Sequence, residues 1–361
     1  MHTFPVSKAV AALALLLSPL AWCQTPAVQA LASVQVKAEA WSAESTAHAF
    51  ATGAPKQRQM EADGAPMDKA WPALEPGAVL RRTGAGVTVF IIDTGIRADH
   101  SEFGGRVLPG FSVIHDGKGT SDCNGHGTHV AGIVGGRQLG VAKQVMLVPV
   151  RVMDCAGAGT ANGLISALEW VGNTTQRPAV ANLSVGGIAS AAVNAAVAAL
   201  VAKGVTVVVA AGNHSVDACK ASPASAPHVI IVGATNGEGS LASYSNFGPC
   251  VTVFAQGSEV VSAWHTSDIA TQTLTGTSMA SPAVAGLAAL ALETYPQASP
   301  QEVGTFLVDQ AGHNRAGQAS TSTPWSLIAW MTGALAGSAQ TQTLAVKAMA
   351  TLSTQPRTMA R

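Results

Sequence analysis

Short runs of consecutive apolar residues alternate with longer stretches of helical character from about residue 87 onward. The first run, residues 87–92, is continuous and rich in Val, Ile and Thr. Such runs are typical of strands buried on both faces, and these strands belong to parallel sheets. Further strands of the same kind are predicted at residues 145–152, 180–183, 205–210, 229–232 and 251–255.

Helices are predicted between these strands, at residues 128–134, 162–171, 190–203 and 278–293. A further helix begins at Ser299, where Ser-Pro-Gln-Glu combines a capping box with a proline at the first helical position. Strands separated by helix-length segments form right-handed βαβ units. The sequence therefore predicts an α/β fold of three layers, with a mainly parallel central sheet covered by helices on both faces.

The first thirty residues have the proportions of a secretion signal. One Lys precedes an apolar run at residues 9–17, which is too short to span a bilayer. We expect a signal peptide at residues 1–23, with cleavage after Cys23, Ala27 or Ala30. A lipid anchor on Cys23 is the alternative. Residues 24–83 are expected to be poorly structured, with one helical piece, and residues 333–361 to form an appended tail.

Composition excludes several classes of function. The chain has 361 residues, 48% of them hydrophobic, and its 20 basic and 20 acidic side chains balance to a formal net charge of zero. No basic block indicates binding of nucleic acid. No stretch after the leader is long and apolar enough to span a bilayer, so we expect no stable membrane association.

Cysteine usage agrees with export. Loss of Cys23 with the signal would leave four cysteines, namely Cys123, Cys155, Cys219 and Cys250. An even number in an exported chain suggests two disulfides and an oxidising compartment, so we expect a secreted or periplasmic protein. Four reduced, buried thiols, as in a cytosolic protein, are the alternative.

A serine at the start of a predicted helix is the first candidate for chemistry. Ser278 lies in the run Gly-Thr-Ser-Met-Ala-Ser-Pro at residues 276–282, which an Ala-rich apolar stretch follows. A helix start presents unpaired backbone N–H groups that can receive an anion, as an acyl-transfer nucleophile requires. Considered alone, Ser278 is more simply a helix cap, because Ser and Thr are common at that position.

Two further polar residues fall where predicted strands and helices meet. Asp93 follows the first strand, at the carboxyl edge of the sheet, where open α/β folds place their sites. A turn-forming aspartate is the alternative. His126 lies between two glycines at the start of an apolar helix, a position that packing does not readily explain. Asp, His and Ser at sheet edges can supply an orienting carboxylate, a general base and a nucleophile.

His129 and Asn213 each allow a functional and a structural interpretation. His129 is interpreted as a packed or exposed helical histidine. With His126 it shares one helix face, but no third donor stands at metal-ligand spacing. Asn213 follows a predicted strand, and its NH₂ group can donate to a developing oxyanion beside the Ser278 backbone N–H. A plain turn asparagine is the alternative.

Taken together, these motifs resemble those of the subtilisin-like serine proteases. Asp-Thr-Gly begins at Asp93, Gly-His-Gly-Thr-His-Val-Ala-Gly includes His126, and Gly-Thr-Ser-Met-Ala-Ser-Pro includes Ser278. The order Asp, His, Ser is the order of that family. Within the family the chain is most similar to the proteinase K and aqualysin group, at residues 122–126, 152–155 and 182–187. The resemblance extends over about residues 84–327.

The resemblance implies a peptidase domain at residues 84–332 and a role for each candidate. Ser278 would attack the scissile carbonyl, His126 would take and return its proton, and Asp93 would hold the imidazole tautomer. Asn213 and the Ser278 amide would bind the oxyanion. An extended peptide would pair with two chain edges, formed by Ser184, Val185, Gly186 and by Gly157, Ala158, Gly159. These glycine-lined edges favour broad specificity. The implied disulfides are Cys123–Cys155 and Cys219–Cys250.

Three departures from the family pattern change the expectations. Residues 24–83 are too short for a folded pro-region of domain size plus a mature N-terminus, so we expect a short or degenerate pro-region. Ala283 follows Pro282 where relatives have His, and we expect a packing position there. Relatives often bind calcium through one loop and an Asp on a nearby strand.

The calcium ligands expected here are incomplete. Pro227 and Val229 would offer backbone carbonyls, but Val253 stands where the Asp carboxylate is expected. Because calcium favours charged oxygen ligands, the site is predicted to be weak or empty. The chemistry itself requires no cofactor.

The sequence therefore predicts a monomeric, exported serine endopeptidase that cleaves protein or peptide substrates through an acyl-enzyme. One alternative is a secreted peptide-binding protein of the same fold that is poorly active because its pro-region is shortened. Another is an esterase or amidase on this fold. Cleavage of casein distinguishes the first alternative, and a comparison of ester with peptide substrates distinguishes the second.

Overall fold

The apolar runs of the sequence form a parallel sheet at the centre of the fold. The computed structural model describes residues 35–38, 79, 82–175 and 177–313. Its strands are β1 (Gln35–Ala38), β2 (Thr88–Asp93), β3 (Phe111–Ser112), β4 (Met146–Arg151), β5 (Ala158–Thr160), β6 (Ala179–Leu183), β7 (Val185–Ile188), β8 (Thr206–Ala210), β9 (Ala221–Ser222), β10 (Ile230–Thr235), β11 (Val253–Gln256), β12 (Val260–Ala263) and β13 (Thr271–Leu274). Seven of them form one parallel sheet in the order β11, β10, β8, β6, β2, β4, β3.

Helices cover both faces of this sheet. In the described residues they are α1 (His126–Gly135), α2 (Ala161–Thr174), α3 (Ala191–Ala202), α4 (Thr277–Thr294) and α5 (Pro300–His313). Apolar side chains of α1, α4 and α5 form the core on one face, and those of α2 and α3 form the core on the other. The three-layer α/β fold predicted from the sequence is thereby confirmed. It places the carboxyl ends of β2, β6 and β8 side by side.

Helix α5 begins at the capping box that the sequence predicts. The Ser299 backbone N–H donates to Glu302 Oε2 at 2.7 Å, and the Glu302 N–H donates to Ser299 Oγ at 3.3 Å. This reciprocal pair is the predicted capping box, and it satisfies two backbone donors that have no partner inside the helix.

A small antiparallel sheet lies apart from the central one. Its strand order is β5, β1, β7, β9, and β12 pairs with β13 in a separate hairpin. The expectation of a poorly structured segment is therefore wrong for residues 35–38. Their backbone pairs with two strands more than a hundred residues away, and such pairing leaves no trace in the local sequence.

Two disulfides join loops around the sheet. They are Cys123–Cys155 and Cys219–Cys250, the pairing that the sequence resemblance implies. The first ties the loop before α1 to the loop before β5. One of the two chain edges expected to meet a substrate, residues 157–159, is thus linked covalently to the loop before His126.

Several predicted segments lie outside the described residues. These are the signal peptide at 1–23, most of the N-terminal segment 24–83 and the tail 333–361. In the part of the chain that the structure describes, no helix has both the length and the apolar character that a membrane crossing requires.

Candidate active site

Asp93 and His126 meet where β2 ends and α1 begins. His126 Nδ1 lies 2.8 Å from Asp93 Oδ1, and both side chains are buried. Because a carboxylate oxygen accepts, this contact assigns the Nδ1 proton to His126. The Thr94 backbone N–H donates to the same oxygen at 2.8 Å and fixes the carboxylate. The imidazole is therefore held in one tautomer, with Nε2 left as the basic nitrogen.

A second carboxylate, Asp122, organises the start of α1. Its Oδ1 accepts from the Thr94 hydroxyl and from the backbone N–H groups of Asn124 and Gly125, at 2.8–2.9 Å. Its Oδ2 accepts from the N–H and the hydroxyl of Thr128, at 2.9 and 2.6 Å. One side chain thus joins the turn after β2 to the first turn of α1. The sequence analysis did not single out Asp122 or Thr94, although both belong to the motifs that it quoted.

Gly127 allows the helix to approach the β2 turn closely. A Cβ at this position would lie 2.2 Å from the carbonyl oxygen of Gly95, and its backbone N–H donates to Thr94 Oγ1 at 2.9 Å. A side chain would push α1 away from β2. The glycine after His126 is therefore a requirement of the contact between His126 and Asp93.

Ser278 lies in the first turn of α4, in a cleft at the carboxyl ends of the strands. The cleft is lined by Ser184, Val185, Gly186, Ala210, Gly212 and Ser278. Ser278 is only 2% exposed, and its Oγ lies 3.4 Å from the backbone carbonyl oxygen of Ser184. Because Asp93 and Ser184 stand at the carboxyl ends of the neighbouring parallel strands β2 and β6, their partners His126 and Ser278 lie at the same edge of the sheet. Three residues of a predicted substrate edge thus surround the predicted nucleophile.

Asn213 is oriented by the residue before the predicted nucleophile. Its Oδ1 accepts from the backbone N–H and the hydroxyl of Thr277, at 2.8 and 2.9 Å. Its Nδ2 has no hydrogen-bond partner among the described residues and faces Gly276. An amide whose oxygen is anchored presents its NH₂ group in a fixed direction, as an oxyanion donor must. Thr277 is the residue that sequence reasoning missed here.

His129 is a structural residue, as the sequence analysis expected. It is fully buried, and its Nε2 lies 3.1 and 3.0 Å from the carbonyl oxygens of Val260 and Gln272. One N–H shared between two carbonyls ties α1 to the β12–β13 hairpin. The Nε2 of His129 therefore serves to join two elements of the fold.

Another cluster of possible metal ligands is already occupied by protein contacts. Asp116, Cys123 and Cys155 are the group within reach of one ion in the described part of the chain. The two sulfurs form a disulfide, and both Asp116 oxygens accept from the buried Arg151, at 2.8 and 2.7 Å. These hydrogen bonds hold the pKa of the Asp116 carboxyl well below its usual range. Arg151 Nη2 also lies 3.2 Å from Cys123 Sγ, so the cation braces the disulfide.

The two predicted substrate edges enclose a strand of the chain itself. β1 lies between β5 and β7 and is antiparallel to both. In its register Val36 is opposite Gly159, Lys37 is opposite Ala158 and Gly186, and Ala38 is opposite Val185. Gly157 lies in the turn before β5, where its N–H donates to the Asp154 carbonyl, and it is not paired with β1. The two edges therefore accept an extended chain through main-chain pairing.

The calcium ligands expected from the sequence do not form a set. Val253 is fully buried in the apolar core on the α4 side of the sheet, whereas Val229 belongs to the core on the opposite side. A side chain at position 253 therefore cannot meet the Pro227–Val229 loop, and the assignment of the carboxylate position to Val253 is wrong. The neighbouring Thr252 contacts Ile231, whose N–H donates to Thr252 Oγ1 at 3.1 Å. A hydroxyl, not a carboxylate, stands there.

Ala283 is a packing position, as expected. It is 1% exposed and belongs to the core between α4 and the sheet. A larger polar side chain at this point of α4 would have to enter that core.

Comparison with known proteins gives a consistent result. The model of the subtilase family matches residues 84–329. The extracellular serine proteinase of Thermus sp. (strain Rt41A) is 49% identical over 246 residues, covering 68% of this chain and 60% of the relative. The alkaline serine exoprotease A of Vibrio alginolyticus is 47% identical over 228 residues, or 63% of this chain and 42% of the relative. The chain thus spans about half the length of the curated relatives it matches.

A solved structure agrees with the sequence comparisons. A cold adapted subtilisin-like serine proteinase superimposes with a TM-score of 0.65 at 44% sequence identity. The match covers 69% of this chain and 90% of that structure.

The buried His129 predicts a pH dependence of stability. Burial, and secondarily the nearby His126, lowers the pKa of His129 from 6.5 to about 4. Between these values the unfolded chain binds a proton that the folded protein does not, so the free energy of unfolding falls as pH falls. We expect urea unfolding of Ser278→Ala protein to show this loss between pH 6.5 and 4. His129→Gln, which retains donors for both carbonyls, should show a smaller loss. Equal slopes in both proteins would contradict the prediction.

Proposed function

Because the chain belongs to the subtilase family, we propose that it is a serine endopeptidase with Ser278, His126 and Asp93 as its catalytic residues. The observation that carries the proposal is the buried 2.8 Å contact between His126 Nδ1 and Asp93 Oδ1, at the same edge of the sheet as the cleft that contains Ser278. Proposed substrates are proteins and peptides in a secreted or periplasmic setting, and the relatives named extracellular support export.

The proposed reaction proceeds through an acyl-enzyme. His126 Nε2 takes the proton of the Ser278 hydroxyl as Oγ attacks the scissile carbonyl, and then gives it to the leaving amine. Water then attacks the acyl carbon as His126 Nε2 takes its proton, and His126 gives that proton to Ser278 Oγ as the bond to the acyl group breaks and the carboxylic acid leaves. Asp93 orients the ring and stabilises the imidazolium that forms in each step.

Two donors are proposed for the oxyanion. The first is the Ser278 backbone N–H at the start of α4, where backbone N–H groups lack helical partners. The second is Asn213 Nδ2, held in place through Thr277. Both are fixed before the substrate arrives, so stabilising the developing charge requires no rearrangement.

Substrate recognition is proposed to rest on main-chain pairing. β1 supports this because β5 and β7 hold it as the middle strand of an antiparallel sheet. Main-chain hydrogen bonds form whatever the side chains of the peptide are. Specificity then depends on the pockets that receive alternate side chains of the peptide. Residues 157–159 and 184–186 are therefore proposed as the substrate edges, with broad specificity. A monomeric state and the absence of nucleic-acid partners stay predictions.

The alternatives from the sequence analysis are less well supported. A peptide-binding protein without activity would not require a fixed imidazole tautomer or an anchored amide beside Ser278. An esterase or amidase would not require two strand edges that pair with an extended chain. Comparison of hydrolysis rates for an ester and the corresponding peptide separates the second alternative from the proposal.

We expect hydrolysis of casein to depend on Ser278 and Asn213. Ser278→Ala should abolish turnover. Asn213→Ala should lower kcat by about 10²–10³, which is the cost already known for the corresponding amide in this family. Retained proteolysis by purified Ser278→Ala protein would contradict the proposal. Mass spectrometry should also locate the adduct of a sulfonyl fluoride on Ser278 and not on the neighbouring Ser281.

The position of β1 predicts where the enzyme cleaves its own chain. Ala38 is opposite Val185, so a strand in this register presents its next residue to Ser184, whose carbonyl oxygen is 3.4 Å from Ser278 Oγ. In this chain the bond after that residue is Glu39–Ala40. N-terminal sequencing of active protein should begin at Ala40, whereas Ser278→Ala protein should keep residues 35–38. An active protein that retains the Glu39–Ala40 bond would contradict this prediction.

Calcium is predicted to stabilise the protein little at the Pro227–Val229 loop. A site without a carboxylate and with a millimolar dissociation constant would add about 1 kcal/mol or less at millimolar calcium. Melting of Ser278→Ala protein in EDTA and in calcium measures the effect. Thr252→Asp, which places a carboxylate next to Ile231, two residues after the loop, should increase the effect of calcium. The prediction would be contradicted if calcium raised the melting temperature strongly in protein with Thr252 intact and if mutation of the Pro227–Val229 loop abolished that rise.

A further inference from the structure

The helix that carries Ser278 contains a proline one turn after it. Pro282 lies inside α4 and has no backbone N–H. In a regular helix the N–H of residue 282 would donate to the carbonyl oxygen of residue 278. The Ser278 carbonyl oxygen therefore lacks its ordinary helical donor, at the residue proposed as the nucleophile.

Ser184 supplies a donor from outside the helix. Its Oγ donates to the Ser278 carbonyl oxygen at 3.0 Å, and the two residues are 1% and 2% exposed. The direction of this bond is unambiguous because a carbonyl oxygen only accepts. A side chain between β6 and β7 thus replaces the backbone donor that Pro282 removes.

Two further buried side chains orient the Ser184 hydroxyl. Asn182 Nδ2 donates to Ser184 Oγ at 2.9 Å, and Ser281 Oγ donates to Asn182 Oδ1 at 2.8 Å. Asn182 and Ser281 are both fully buried. The three bonds form a chain with one direction, from the Ser281 hydroxyl through Asn182 and Ser184 to the Ser278 carbonyl. The chain begins and ends on α4 and passes through the last residues of β6.

A second contact joins the same two residues with the roles of hydroxyl and carbonyl exchanged. Ser278 Oγ lies 3.4 Å from the Ser184 carbonyl oxygen, while Ser184 Oγ donates to the Ser278 carbonyl. In the proposed reaction Ser278 Oγ leaves the Ser184 carbonyl in order to attack the substrate. The bond from Ser184 Oγ does not involve the reacting hydroxyl, so it can persist throughout the reaction. It keeps the nucleophile in register with the substrate edge that begins at Ser184.

We propose that the Ser184 hydroxyl, Asn182 and Ser281 are positioning residues that replace the helical hydrogen bond lost at Pro282 and hold Ser278 against the substrate edge. This inference rests on the proposed serine-protease function and deepens it. It assigns a role to the Ser184 side chain that is separate from the pairing of its backbone with a peptide. It also explains why a proline is tolerated inside the helix at this point.

The test is a double-mutant cycle between Ser184→Ala and Pro282→Ala. Ser184→Ala removes the hydroxyl donor and should lower kcat by about tenfold, with KM changed less than about twofold, since the backbone edge is retained. Pro282→Ala alone should have nearly unchanged activity. In the double variant the new N–H of residue 282 can donate to the Ser278 carbonyl, so most of the lost kcat should return.

Two measurements and two further variants distinguish a positioning role from simple loss of folded protein. The kcat is expressed per active site titrated with phenylmethylsulfonyl fluoride, and the melting temperature of each variant is measured. Ser281→Ala should lower kcat in the same direction as Ser184→Ala. Ser112→Ala removes a hydroxyl that donates to the Ile114 carbonyl at 3.1 Å on the outer strand β3, and should leave kcat unchanged.

Each outcome has one meaning. Recovery of kcat in the double variant supports the proposal. A double variant no more active than Ser184→Ala, with both folded, would overturn it. If the unmodified protein neither cleaves casein nor reacts with the sulfonyl fluoride, the proposed function itself fails and this inference fails with it.

Discussion

The close packing of α4 against the parallel sheet is the constraint on which the rest of the site depends. All residues of the helix from Thr277 to Leu292 are buried, and Ala and Gly predominate among them. The helix contacts α1, α5 and the strands β6, β8, β10 and β11. Because its side chains are small, the backbone lies near the strands, and an enlarged side chain would cost about 1–3 kcal/mol. Ser278 and the Thr277 anchor of Asn213 therefore move only if the core moves.

The helices that carry Ser278 and His126 are held in place by different interactions. The position of Ser278 follows from burial of α4 together with two side-chain hydrogen bonds that connect the helix with the end of β6, and a third that joins their partners Asn182 and Ser184. The position of His126 follows from Asp122, whose five accepted hydrogen bonds join the start of α1 to the turn after β2. A part-buried carboxylate is suited to this role because it satisfies several backbone donors at once.

The long elements and the catalytic candidates could be predicted from the sequence because their signals are local. β2 and α4 follow from apolar runs, and Asp93, His126 and Ser278 each stand within two residues of a glycine at the ends of β2, α1 and α4. Contacts between distant residues could not be predicted in this way. Neither the anchoring of Asn213 by Thr277 nor the pairing of β1 with β7 has a local pattern. The orientation of Val253 was missed because one residue of register in a strand exchanges the two faces of the sheet.

The location of β1 changes how the cleft meets a substrate. A strand on the same chain pairs with the two edges at an effective concentration set by the connecting segment, and dilution does not lower this concentration. A peptide from solution therefore competes with a tethered ligand. Its apparent affinity equals its intrinsic affinity multiplied by the fraction of molecules in which the edges are free. While the tether is intact, β1 pairs with both edges, and they are not available to another chain. Once the connecting segment is cut, β1 belongs to a separate peptide, and dilution favours its dissociation from the edges.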